Sequence, residues 1–183
     1  MFNGLNEKGM KRLITIVLLA AFTVGSALPG AAAADRKKVN TGAVAGLVRE
    51  YNVYPGFEVV SVGGLGLGLV KMIAKASAES EEDRQVLEVL DGLRKVIVVE
   101  YEDADDDRRD SFNRKAASLL ENAEKIVEVK EDGETLNVYG TSASGGERLD
   151  DLIVFIPEDC TLICLFGSIS YDKIADIIEM EMN

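Results

Sequence analysis

Three short stretches of this chain carry residue types that could do chemistry: VGGLGLGLVKM at residues 62–72, EDADDD at 102–107 and CTLIC at 160–164. The first invites comparison with glycine-rich phosphate loops. Gly63, Gly64, Gly66 and Gly68 fit G-x-G-x-x-G in no register, however. Leu69 stands where Gly64 and Gly66 would require the third glycine, and no Lys-Ser or Lys-Thr follows to make a P-loop. Gly64 and Gly68, four apart, read instead as small residues that let a helix lie close to its neighbour, at a cost in helix propensity.

In the acidic stretch, Asp103, Asp105 and Asp107 alternate as the start of a calcium loop does. The match then fails, because Arg108 occupies the glycine position and Arg114 that of the chelating glutamate. A helix start explains the cluster better: Asp105 caps, and Asp106 and Asp107 meet the positive end of the helix dipole. The two cysteines, Cys160 and Cys164, flank a strand-like Thr-Leu-Ile. Four strand residues span roughly 13 Å at about 3.3 Å each, beyond the ~7 Å that a disulfide can bridge. Free, half-buried thiols are expected, with an intermolecular bridge open only to an exposed Cys160.

Histidine and tryptophan are absent. Without histidine the chain builds no Ser-His-Asp or Cys-His pair and no imidazole metal site. Carboxylates are numerous, but nothing marks out a pair for general acid–base work. The sequence therefore singles out no catalytic, cofactor-binding or metal-ligating residue and implies no cofactor.

The elements that would position such residues begin after an export signal. Lys11-Arg12 precede the uncharged run from Leu13 to Val24, then Pro29 and Gly30-Ala-Ala-Ala-Ala34, the order of a secretory signal peptide with cleavage near Ala34. The apolar run is short for a membrane span. No cysteine stands at the cleavage site for lipidation, so no stable membrane anchor is expected after cleavage. Losing Lys8, Lys11, Arg12 and Glu7 would take the net charge from −12 to −14. That charge repels phosphate backbones and anionic membranes and argues against a nucleic-acid partner. The expected organisation is a signal peptide at 1–34, a leader segment or short helix at 35–54, and a single domain at 55–183.

Within that domain, Pro55-Gly56 marks a turn and Phe57–Val62 a first strand. Leu65, Leu69, Met72 and Ile73 recur at helical spacing, and a second helical pattern carries Val86, Leu87, Val89, Leu90 and Leu93. Lys95–Tyr101 is a β-branched strand. From Asp105 a long helix places Phe112, Ala116, Leu119, Leu120 and Ala123 on one face. The period then becomes two. Ile126–Val129 and Thr135–Tyr139 flank the hairpin dipeptide Asp132-Gly133, and Leu152–Ile156 and Thr161–Phe166 follow. Ser170 would cap a last helix, with Ile169 stapled onto Ile174. This order predicts an α+β fold: a two-layer, mainly antiparallel sheet with a C-terminal four-strand meander and helices packed on one face. Leu152–Ile156 and Leu162–Phe166 are apolar on both faces. Either they are central strands covered on both sides, or one face is a contact with a protein partner or with a second copy, a homodimer through the C-terminal sheet.

From about Phe57 to Met180 the chain resembles the bacterial envelope family known as domain of unknown function 4252. The resemblance rests on FEVVSVGG, LRKVIVVEYE, VKEDGETLNVYG, LDDLIVFIPED and TLICLFGSISYDKIADI. It implies an exported protein, often a lipoprotein in the family, although this chain lacks the cleavage-site cysteine. It implies no activity, and no functional residue can be carried over. Two functions from different classes remain: an exported, non-catalytic protein-binding or regulatory module of the cell envelope, and a carboxylate-dependent hydrolase acting there.

Overall fold

Alternating apolar residues bury one side of a strand, and a chain with several such runs must cover each buried side. The computed structural model, which describes residues 38–68, 92–131, 134–142 and 148–170, shows how this chain does so. Its order is α1 (Thr41–Tyr51), β1 (Glu58–Gly63), β2 (Leu93–Glu100), α2 (Asp106–Leu120), β3 (Glu124–Glu131), β4 (Glu134–Ser142), β5 (Arg148–Ile156) and β6 (Thr161–Ser170). The six strands form one sheet in the order β1-β2-β6-β5-β4-β3, and every neighbouring pair is antiparallel. β3 to β6 are the expected meander. The fold is α+β.

The segment at 35–54, expected to be a leader or a short helix, supplies α1. Asn40 caps it by accepting a hydrogen bond from the Ala43 amide at 3.0 Å. Its Val44, Leu47, Val48 and Tyr51 lie in the core, so the packed unit starts ahead of Pro55. α2 starts as expected. Asp105 accepts from the Arg108 amide at 3.0 Å, Asp106 and Asp107 occupy the first turn, and Phe112, Ala116 and Leu120 are buried, with Leu119 and Ala123 packed beside them.

Alternation along the strands divides the core in two. Ile97, Val99 and Tyr101 of the β2 arm join Ile153, Phe155, Leu162, Cys164 and Phe166 under α1 and α2. Val98, Leu152, Val154, Ile156, Ile163 and Leu165 point to the opposite face, with Val138, Leu149, Ile169 and Leu67. Both faces of β5 and β6 are buried within the one chain. Ile163 is 1 % exposed and Leu165 5 %.

The strands are longer than the sequence suggests because the pairing register slips at one level across the sheet. The slips fall at Arg94 in β2, Asp151 in β5, Gly140 in β4 and Ile126 in β3. Each bulge shifts the phase of the alternation, so Leu93 and Val96, three apart, share a face, as do Leu149 and Leu152. Asp151 takes a left-handed backbone, φ 53°, which aspartate tolerates better than most residues. Its Oδ1 accepts from the Gly167 amide at 3.0 Å and lies 3.6 Å from the Arg94 guanidinium. Gly167, at φ 145°, lies so close to Gly92 and Leu93 that a Cβ there would overlap their backbone.

Three expectations are corrected. Leu93 belongs to β2 and not to a helix. β6 runs through Ile169 to Ser170, with Leu149 opposite Ile169 and Arg148 opposite Ser170, so Ile169 is a core strand residue. The thiols are more buried than half: both cysteines are free and buried. The signal segment 1–34, the remaining residues of the second helical pattern, Asp132-Gly133 and the last helix lie outside the described residues. Glu131 pairs with Glu134 on either side of that dipeptide.

Candidate functional site

The described part of the glycine segment ends β1 at Gly63 and is helical over residues 64–68. Among the described residues Gly64 and Gly68 are not close-packing positions, whereas a Cβ on Gly63 would press on Lys95 and the Arg94 carbonyl at 3.1 to 3.3 Å. A Cβ on Gly64 or Gly68 would meet no described atom within 4 Å, and the glycine at 64 instead serves a backbone φ of 53°. Leu65 beside it is 95 % exposed, while Leu67 turns into the second face of the core. Closer approaches occur elsewhere. Gly56, at φ 81°, packs on the Asp103–Ala104 backbone, where any side chain would collide.

Among the described residues, no three histidine, cysteine or acidic side chains gather where they could hold a metal ion. Asp105, the middle of the calcium-like triplet, has both carboxylate oxygens engaged by Arg108, the second at 2.8 Å from Nε. Cys164 is enclosed in the first face of the core, where burial pushes its thiol up to about 12, so it is neither an acid nor a nucleophile near neutrality. Cys160 stands before β6 with φ 48°, its carbonyl accepting from the Tyr101 amide at 3.0 Å. The Arg109 guanidinium, bonded to Asp106, also reaches this thiol.

Polar groups that the sequence did not connect meet between the helices. Tyr51 of α1 and Ser111 of α2 share a hydrogen bond of 2.8 Å, and Lys115, one turn beyond Ser111, lies 5.1 Å from the centre of the Tyr51 ring. A serine, a tyrosine and a lysine in contact can form a nucleophile relay if the lysine gives up its proton. Here it keeps it. Lys115 donates to Glu50 at 2.6 Å, and that bond raises the ammonium above its ordinary value. The group ties two helices together. Tyr101, just beyond β2, ties that strand's end to α2, its hydroxyl donating to Asn113 Oδ1 at 2.6 Å. Burial foremost, with Cys160 and Glu158 nearby, holds this phenol above its usual range.

Among the described residues, what remains open is the sheet's rim. One end gathers negative charge. Glu58 of β1 stands directly opposite Glu100 of β2, and both are exposed. Glu102 and Asp103 continue from β2, and Glu158 and Asp159 form the β5–β6 turn at the same end. β1 closes the sheet on that side, with no strand beyond it among the described residues. Periodicity located β1 and composition located the acidic residues. Neither could place them together, because their meeting depends on the β1–β2 register.

These features define an α+β domain built on an open, six-stranded antiparallel sheet. The family model described as "Domain of unknown function (DUF4252)" matches residues 51–177, and the chain belongs to that family. Neither the curated proteins nor the solved structures contain a match to it. No described helix is long and apolar enough to cross a membrane.

Proposed function

We propose that this chain is an exported protein-binding module of the cell envelope that works without catalysis. The observation that carries the reading is the open sheet. Both of its faces are filled by the chain's own side chains, whereas its two margins, β1 and β3, have no strand beside them among the described residues. A margin presents unpaired amides and carbonyls at strand spacing and accepts an extended chain. The ordered signal features at residues 11–34 support export. The polar clusters support binding over hydrolysis, since Lys115 is held protonated by Glu50 and Asp105 is engaged by Arg108.

A contact through the face of the meander would first have to uncover Ile163 and Leu165, which are buried. Among the described residues, the margins require no such unpacking. The test is fractionation of producing cells combined with crosslinking in place. The expected result is a chain lacking residues 1–34, found outside the cytoplasm and crosslinked to one stoichiometric protein. A chain that keeps residues 1–34 in the cytoplasm, or one that turns over an envelope polymer, defeats the reading.

A further inference from the structure

The two margins are built differently. β3 carries five charged residues in eight, Glu124, Lys125, Glu128, Lys130 and Glu131, and its register slips at Ile126. Charges and bulges are the usual means by which a sheet edge refuses a further strand. β1 has no bulge and a single charge. It pairs with β2 in unbroken register from Glu58 to Gly63, its only charge is Glu58, and Val59, Val60 and Val62 are half-buried. Its backbone edge is a regular template.

Charge selects what could use it. Glu58 and Glu100 face each other across the strands, an arrangement that costs stability when no cation intervenes. Neither is ion-paired among the described residues. Glu102, Asp103, Glu158 and Asp159 add to the same end. A second copy pairing through its own β1 would bring a strand without lysine or arginine, on a strongly acidic chain, against this edge. A basic strand would supply a compensating cation.

We propose that β1 is a docking margin for an extended, lysine- or arginine-bearing segment of a partner protein, which adds to the sheet as a seventh strand with its positive charge beside Glu58 and Glu100. Main-chain hydrogen bonds along Glu58–Gly63 hold the segment. The acidic end fixes its charge and draws it in. The proposal rests on the protein-binding reading above and narrows it to one margin and one partner chemistry.

The test uses the full chain after signal removal and a fluorescent peptide of alternating valine and lysine. Two peptides serve as controls: its valine–glutamate counterpart, and a valine–lysine peptide N-methylated at alternate amides. Saturable binding of the valine–lysine peptide is expected, with at least tenfold weaker binding to Glu58→Lys and to Ser61→Lys. Both positions are exposed, so circular dichroism and the urea midpoint should stay unchanged. Glu124→Lys on β3 should bind as the unaltered chain does. The N-methylated peptide keeps its charge but cannot complete a ladder, and should fail to bind, as should the glutamate peptide.

Equal binding of the N-methylated peptide would reduce the effect to charge attraction and overturn the proposal. So would undiminished binding to both β1 variants, or no saturable binding at all. A dimer of the unaltered chain that Ser61→Lys dissolves would make a second copy the occupant and overturn it as well. If the partner crosslinked in cells is still captured by Ser61→Lys, the binding-module reading stands and the β1 assignment falls.

Discussion

The two faces of the sheet are both apolar and both buried, yet they are made of different material. Under α1 and α2, five rings interlock: Tyr51, Tyr54, Phe57, Tyr101 and Phe112 meet in pairs with centroids 4.6 to 5.7 Å apart. Hydroxyl bonds from Tyr51 and Tyr101 to Ser111 and Asn113 tie that layer to α2. Among the described residues, the opposite cluster contains leucine, isoleucine and valine and no ring. Aromatic packing is directional, with preferred tilts and separations, whereas branched aliphatic side chains exchange volume with little penalty. The first face therefore fixes where the helices sit, and the second mainly removes area from water.

The sharpest way to break this contrast is to remove the ring at its centre. Phe112 touches Tyr51, Phe57 and Tyr101 and is wholly buried. Phe112→Ala should cost about 3–5 kcal/mol by urea denaturation, with loss of the near-ultraviolet signal of the tyrosines. On the other face, Ile163→Leu conserves volume and should cost less than about 1.5 kcal/mol. Equal losses from the two variants would erase the distinction between the faces.

Alkaline pH offers a second, smaller test. Cys164 and Tyr101 both belong to the first face, and burial raises both above their ordinary values, Cys164 from 9.0 to about 12. In the unfolded chain the thiol ionises near 9.0, while in the fold it stays protonated. The unfolded state thus binds fewer protons in this window, and stability falls as pH rises. For Cys164 the stabilisation is complete below pH 9 and is lost between about 9 and 12, at up to about 1.4 kcal/mol per pH unit, and Tyr101 adds to the slope only above its ordinary value of 10.0. Urea midpoints measured from pH 8 to 12 should show this slope, and Cys164→Ala should make it shallower. A variant of the second face such as Ile163→Leu should leave the slope as it is.

Tyr51→Phe keeps the ring and deletes its hydroxyl, which isolates the polar tie from the packing. A loss of about 0.5–1.5 kcal/mol is expected from the broken bond to Ser111. Ser111→Ala should cost about the same, and the double variant no more than either alone if the two losses report one interaction. Additive losses would mean that each hydroxyl has its own partner.

The contrast between faces also marks what the sequence could reveal. Alternation marked Leu152–Ile156 and Leu162–Phe166 as strands apolar on both faces, because period two is a local property of a strand. The fold then sets Ile153, Phe155, Leu162 and Cys164 on one side and Val154 and Ile163 on the other. The strand ends escaped for a physical reason. The starts read at Lys95, Ile126 and Leu152 fall at the bulges, and the end read at Phe166 adjoins Gly167 at the same level. A bulge breaks the phase on which the reading depends. Asp105 was legible as a cap because capping is decided within four residues. The meeting of Tyr51 with Ser111, of Arg94 with Asp151 and of Glu58 with Glu100 was not. Each of these joins separate elements, and only the sheet register or the helix packing brings them together. α1 was missed as a core element because its four buried residues lie among small and polar ones in a segment of mixed composition.

A last pair of effects, opposite in sign, concerns the glycines that lead from β1 toward the second face. Residues 64–68 are helical and deliver Leu67 to that face, but no described atom lies within 4 Å of where a Cβ on Gly64 or Gly68 would be. Among the described residues close packing therefore gives no reason for glycine at either position, and backbone conformation gives one at Gly64, where φ is 53°. Gly64→Ala should cost roughly 1–2 kcal/mol, the strain of an L side chain in a left-handed conformation. Gly68→Ala adds a better helix former in open space and should be neutral or stabilising by up to about 1 kcal/mol. The two thus differ in sign although they sit four residues apart in one motif. If both alanines instead destabilise by about 1–3 kcal/mol, as overpacking would, the segment is pressed against a neighbour after all. The second face would then share the close-fitted character here reserved for the first.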